Sequence, residues 1–306
     1  MRNKIKTIIT FVLTASLLAS CNNTVEPGVT ETPEQTTETT IEAPEVTEPS
    51  GTEKKTPLFP EFQFDYTVSE PATQHRVRSV TFYRDGNPIQ GKLTVPEGDG
   101  PFKTIIISSG LYANLGRYSG KAQRYCDYGY AVIEFKFQNG TAPKPYRDPQ
   151  YLGDFIYEQV LDLYAVMDSA VYFPEVDRNN IYLFGHSMGG LVCSYAGTMR
   201  QTEIKGLILV DPSFYAAKIM KYENEPTIRK DIYPLISRCY VPVVIISGTK
   251  AFAADPNKDF DQAIASFPYC EYIVLEGADH HMDGAASNQV VDESVRVMKM
   301  WDEQGR

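Results

Sequence analysis

The sequence predicts an α/β protein built on a mostly parallel sheet with helices on both faces. Short, nearly continuous apolar runs at 104–109, 130–137, 181–184, 205–210, 241–246 and 271–275 have the length and composition of strands buried on both sides. Helix-compatible stretches at 118–128, 154–173, 191–199 and 288–304 alternate with them, and that alternation implies a parallel sheet covered by helices. The third observation is local. The apolar run Ile181-Tyr-Leu-Phe184 leads into Gly185-His186-Ser187-Met188-Gly189-Gly190 and then a helix, so strand, sharp turn and helix follow in order. In such a sheet the chemistry belongs on loops beyond the carboxyl ends of the strands.

Taken in order, residues 1–20 read as a secretory signal. Arg2, Lys4 and Lys6 form its basic region and residues 8–18 its apolar core, a stretch short of the roughly 20 residues needed to span a bilayer. It ends in Leu18-Ala19-Ser20-Cys21, which resembles the lipobox of bacterial lipoproteins. That resemblance implies cleavage before Cys21, a lipid on Cys21, and export of the chain to be anchored at the cell envelope. Residues 21–56 are rich in Thr, Glu and Pro, with eight glutamates against Lys54 and Lys55. They bury too little apolar surface to offset chain entropy and read as a disordered linker.

Residues 57–306 suit one α/β domain. The hairpin at its start is signalled by alternation over 77–84, the turn Asp85-Gly86-Asn87, and a returning run at 89–95. Gly129 marks the end of the first helix and Pro174 the end of the second. Residues 212–240, with Phe214, Tyr215, Ile219, Met220 and Tyr222, form an insertion that is either a small cap over a pocket or a plain connecting helix. The net charge of −10 gives no basic footprint for nucleic acid. Four histidines without an H-E-x-x-H pattern do not suggest a metal site. There is no Gly-x-Gly-x-x-Gly, and no cofactor is implied. Cys126, Cys193, Cys239 and Cys270 sit in scattered apolar contexts and read as free buried thiols.

The phrases Val176-Asp-Arg-Asn-Asn-Ile-Tyr-Leu-Phe-Gly-His-Ser-Met-Gly-Gly190 and Leu275-Glu-Gly-Ala-Asp-His280 resemble those of the α/β-hydrolase superfamily. The nearest likeness is to bacterial cinnamoyl/feruloyl-type esterases and dienelactone-hydrolase-like relatives. The resemblance covers about residues 78–300 and implies a serine hydrolase cleaving small carboxylic esters through an acyl-enzyme. Ser187 is then the nucleophile at a strained turn, with Gly185 and Gly189 making room for it. A serine hydroxyl needs a base, and the family phrase maps that base onto His280 rather than its neighbour His281. The superfamily order Ser, acid, His points to the loop after Ser247-Gly248-Thr249-Lys250. Its usual acid position holds Ala251, so Asp255 is the first candidate, with Asp211 in Leu-Val-Asp-Pro212 and Asp259 as alternatives. One oxyanion donor is the N–H of Met188. The other maps onto Leu111, or else Tyr112, in a loop where Ser109 replaces the histidine usual in relatives. Peptidase, lipase or thioesterase chemistry on the same site, or a binding module using the same fold, are the rival readings.

Overall fold

Each β-strand of the central sheet reads its own alternation. In β5 (Phe102–Ser108), Ile105 and Ile107 join the cluster on one face while Ile106 joins the cluster on the other, because successive side chains leave a strand on opposite sides. Strands β8 (Gly206–Val210) and β9 (Val243–Lys250) divide in the same way: Leu207, Leu209 and Ile245 on one face, Ile208, Val210 and Ile246 on the other. Each fully buried isoleucine contributes about 1.5–3 kcal/mol, so this two-sided burial holds the sheet. The computed structural model describes residues 6–8, 66–69, 76–140, 149–219, 232–251 and 260–305.

The remaining strands are β1 (Lys6–Ile8), β2 (Tyr66–Ser69), β3 (Arg76–Arg84), β4 (Asn87–Val95), β6 (Ala131–Phe135), β7 (Val176–His186) and β10 (Cys270–Asp279). They form one sheet in the order β1-β10-β9-β8-β7-β5-β6-β4-β3-β2. The six strands from β10 to β6 in that order run parallel; β1, β4, β3 and β2 pair antiparallel at the two edges. The hairpin turn places Asp85 at φ 52° and Gly86 at φ 74°, as a tight two-residue turn requires. Lys6–Ile8 belongs to the expected leader and pairs with β10 from Tyr272 to Val274. The rest of the expected leader and linker, Cys21 included, lies outside the described residues.

Helices α2 (Pro149–Ala170) and α3 (Met188–Met199) cover one face, and α1 (Ser119–Asp127) and α7 (Ala285–Glu303) the other. Compared with the expectation from sequence, α2 is shifted toward the amino terminus. Its last turn stops at Ala170, since the Tyr172 and Phe173 N–H groups bond in tight turns before Pro174. At Gly206 an added Cβ would lie 2.4 Å from the Trp301 ring. That bare backbone lets α7 lie close on the sheet, where Trp301 stacks on Tyr182 with centroids 6.5 Å apart. The cap question resolves in part. In α4 (Phe214–Ile219) and α5 (Ile232–Ile236), Phe214, Ile232 and Ile236 are core residues, and Phe214 packs edge-on to Phe267 just beyond α6 (Phe260–Ser266). Met220 and Tyr222 lie outside the described residues. Cys126, Cys193, Cys239 and Cys270 carry free thiols.

The order of strands fixes where a site can form. β5 has β6 on one side and β7 on the other, so the loops after β5 and β7 leave adjacent strand ends in opposite directions. That is the topological switch point at which open α/β sheets leave a crevice.

Candidate active site

Ser187 occupies that crevice at φ 55° and ψ −119°, between the end of β7 and the start of α3. A left-handed conformation of this kind is strained for a side-chain-bearing residue and persists only where its surroundings hold it. The glycines show how. A Cβ at Gly185 would lie 2.3 Å from the Gly189 carbonyl oxygen, and one at Gly189 would lie 2.1 Å from that of Ser108. No other residue fits at either position. The turn is then pinned by Ser187 N–H donating to Val210 C=O at 3.0 Å and Ser213 N–H donating to Ser187 C=O at 2.9 Å.

His280, in the loop after β10, brings its Nε2 to 3.0 Å from Ser187 Oγ. Its Nδ1 pairs with Asp211 Oδ2. The other carboxylate oxygen of Asp211 accepts a hydrogen bond from Ser247 Oγ at 2.8 Å. Asp211 directly follows β8, its side chain wholly buried and its backbone at φ 41°. The carboxylate paired with His280 is thus Asp211, the alternative to the Asp255 favoured from sequence. The physical reason lies in the register: Val210 pairs with His186, so the next residue on β8 leaves the sheet beside Ser187, and its positive φ turns the carboxylate to His280. Asp255 and Asp259 lie outside the described residues. The usable signal was an aspartate directly after an apolar run, while the turn after β9 held Ala251.

The two residues expected to supply oxyanion donors adjoin Ser187 in chain or in space. Met188 begins α3, where N–H groups have no intrahelical partner. Leu111 follows Gly110, where an added Cβ would lie 3.0 Å from Ser187 Cβ. Tyr112, the alternative donor, is at φ 61° with its side chain 71% exposed. Ser109, at the position of the missing histidine, is buried. Ser187, His280, Leu111, Tyr112, Tyr215 and Arg117 border a cavity of about 490 Å³, large enough for a small ester. His281 also borders it, and its backbone N–H donates to Asp279 Oδ1 at 3.0 Å.

Several polar groups here make contacts that were not expected from sequence. Ser213 Oγ lies 3.2 Å from Ser187 Oγ. His186 is buried, which pushes its imidazole down to about 4, and so it is neutral at ordinary pH. Tyr118 is also buried, which drives its phenol up to about 12. Glu134 accepts from the Tyr118 N–H and the Ser119 hydroxyl at 3.1 and 3.0 Å, and its carboxyl is raised by burial. Each is a buried polar residue whose partners are distant in sequence, so periodicity gives no sign of them. No group of three His, Cys, Asp or Glu side chains among the described residues could hold a metal ion.

Residues 99–304 match the sequence profile of the Hydrolase_4 family, described as serine aminopeptidase S33, over more than half of the chain. The chain belongs to this family. It is thus a serine hydrolase of the α/β-hydrolase superfamily. The S33 chain is 28% identical over 112 residues to the Mycoplasma genitalium protein named "Putative esterase/lipase 3". That match spans 34% of the chain and 41% of the relative's length. Among solved structures it resembles Est1E from Butyrivibrio proteoclasticus, with a TM-score of 0.59 and 18% identity over 72% of this chain and 99% of that one. It also resembles an acetyl xylan esterase from Paenibacillus sp. R4, with a TM-score of 0.59 and 17% identity over 78% and 88% of the two chains. A dienelactone hydrolase from Anabaena variabilis gives a TM-score of 0.55 and 14% identity over 74% and 98%. At these identities the likeness is one of fold.

Proposed function

We propose that this hydrolase is a carboxylesterase working through a Ser187–His280–Asp211 triad. The observation that carries the reading is the unbroken line from Ser187 Oγ through both nitrogens of His280 to a buried carboxylate, open to a cavity of ester size. Asp211 keeps the proton of His280 on Nδ1, which leaves Nε2 free to accept from Ser187. As Ser187 Oγ attacks the ester carbonyl, its proton passes to Nε2. The Met188 and Leu111 N–H groups stabilise the tetrahedral oxyanion. His280 then protonates the departing alcohol, and water that gives its proton to the same nitrogen clears the acyl group. The names of two similar proteins, an esterase/lipase and an acetyl xylan esterase, support an ester substrate. No cofactor enters this mechanism.

The family description raises aminopeptidase chemistry as the second reading. A peptidase that binds a free amino terminus needs an anion to hold the ammonium group. Among the described residues bordering the cavity there is no carboxylate; the charged one is Arg117, which is paired with Asp283 at 2.8 Å. The test is turnover of p-nitrophenyl acetate and butyrate, methyl ferulate, a long-chain p-nitrophenyl ester and aminoacyl p-nitroanilides by the full chain. Short and aryl esters are expected to be preferred. Preference for the anilides would replace the esterase reading, and no turnover of any substrate by folded protein would favour a binding module.

We also propose export and lipid attachment at Cys21, on the strength of the basic and apolar leader ending in Leu18-Ala-Ser-Cys21. Incorporation of labelled fatty acid into the chain, lost in Cys21→Ala, is the expected result. Equal labelling of the variant, or none of either, would remove the anchor.

A further inference from the structure

Behind the triad, the oxyanion loop and the His280 loop are joined by two side chains that the proposed mechanism does not use. Gly110 N–H donates to Tyr118 Oη at 3.2 Å. The Tyr118 hydroxyl lies 2.9 Å from His186 Nδ1, and His186 Nε2 lies 2.7 Å from the backbone carbonyl oxygen of His280. The two ends settle every proton between them. An amide N–H can only donate and a carbonyl can only accept. His186 must therefore carry its proton on Nε2, and the Tyr118 hydroxyl must donate to Nδ1.

We propose that Tyr118 and His186 are positioning residues: a one-way hydrogen-bond chain that holds the oxyanion loop and the catalytic-histidine loop at a fixed spacing. This rests on the esterase reading of Ser187 and His280. Both ends of the chain abut the reacting groups, since Gly110 backs directly on Ser187 and the far carbonyl belongs to His280 itself. The middle is rigid. Tyr118 is buried edge-on to Phe184 and His186, with centroids 6.1 and 5.9 Å away. Its backbone N–H is held by the Glu134 carboxylate at the start of α1. Residues on either side of Tyr118 grip the His280 loop twice more, through Lys121 Nζ donating to Met282 C=O at 2.9 Å and Arg117 pairing with Asp283.

The chain works only while His186 is neutral. A proton on Nδ1 would face the Tyr118 hydroxyl proton and deprive it of its acceptor. The charged groups acting on His186 are His280 and Lys121, which oppose its protonation, and Asp211, which favours it; burial outweighs them. A misplacement of about 1 Å at reacting atoms can cost on the order of a hundredfold in rate, so a shared spacer of this kind should appear in kcat and not in KM.

The test uses the full chain with nitrogen-15-labelled histidine, as wild type, Tyr118→Phe, His186→Gln and His186→Leu. Tyr118→Phe keeps the ring and removes only the hydroxyl. It is expected to lower kcat about tenfold or more with KM within about twofold, and to move the His186 titration upward, because Nδ1 loses its donor. His186→Gln can still donate to the His280 carbonyl, so it is expected to retain more turnover than His186→Leu. Wild-type His186 should appear in nitrogen–proton spectra as the Nε2–H tautomer. An Nδ1–H tautomer in wild type, or folded Tyr118→Phe with wild-type kcat, would overturn the proposal. If wild type turned over no ester, the esterase reading would fail, while the tautomer and the His186 titration would still judge the hydrogen-bond chain.

Discussion

Asp211→Asn removes one charge and changes almost nothing else in shape. In the wild type both carboxylate oxygens accept, one from His280 Nδ1–H and one from Ser247 Oγ. An asparagine has one accepting oxygen and one donating nitrogen. Ser247 Oγ can rotate to accept, so the favoured placement puts the amide oxygen on His280 and the amide nitrogen on Ser247, and the tautomer of His280 survives. What is lost is attraction between the carboxylate and the imidazolium that forms as Ser187 attacks. At about 4 Å and an effective dielectric constant of about 20, that attraction is about 4 kcal/mol. A barrier raised by that amount slows turnover about 10³-fold. The assay is kcat and KM for p-nitrophenyl acetate across pH, with Asp255→Asn alongside and thermal unfolding as the check on folding. The expected result is a loss of about 10³ in kcat for Asp211→Asn and near-normal turnover for Asp255→Asn. A folded Asp211→Asn within about fivefold of wild type, with the large loss at Asp255, would refute the assignment.

The strain at the elbow gives a second expectation. Gly189→Ala puts a methyl 2.1 Å from the Ser108 carbonyl oxygen, and backbone cannot yield that much, so soluble yield and helical circular dichroism should collapse, with a cost of about 3 kcal/mol or more. Glu134→Gln places an amide where the carboxylate accepts two hydrogen bonds at the start of α1; a loss of about 1–2 kcal/mol in urea unfolding is expected. His186 gives a pH dependence of stability. Its folded pKa of about 4 lies below the ordinary 6.5, so the unfolded chain takes the proton first. Its stabilising contribution is present above about pH 6.5 and lost as pH falls toward 4, on the order of 3 kcal/mol in all. Thermal unfolding from pH 7.5 to 4.5 should therefore fall more steeply for wild type than for His186→Gln, and parallel slopes would contradict this.

The parts of the fold legible in the sequence were those written in local pattern. Buried strands such as 104–109 and 205–210 announce themselves by continuous apolar runs, and the Asp85-Gly86 turn by its own backbone demands. Ser187 and its glycines were legible because a strained turn admits few residues. The acid on His280 was not, since any of several aspartates on nearby loops could reach it. Only the pairing of Val210 with His186 shows that Asp211 emerges beside the serine. The same holds for the contacts of Tyr118, at the start of α1, and Glu134, in β6, which sequence order does not reveal. Helix ends were offset for a related reason. The first turn of α2 and the first of α7 lie outside the most apolar stretch, where the apolar pattern that marks a helix is weak.

The most direct measurement is fluorophosphonate labelling of the full chain, followed by mass analysis of the tryptic peptide ending at Arg200. That peptide begins after Arg178 and contains Ser187 and Ser194. Ser194 is buried with its hydroxyl bonded to Gly190 C=O, so fragmentation assigns the adduct. The expected result is one adduct on Ser187, absent from Ser187→Ala, whose turnover should fall by about three orders of magnitude or more with the fold intact. An unlabelled Ser187 in folded protein, or full turnover by Ser187→Ala, would contradict its role as the activated nucleophile.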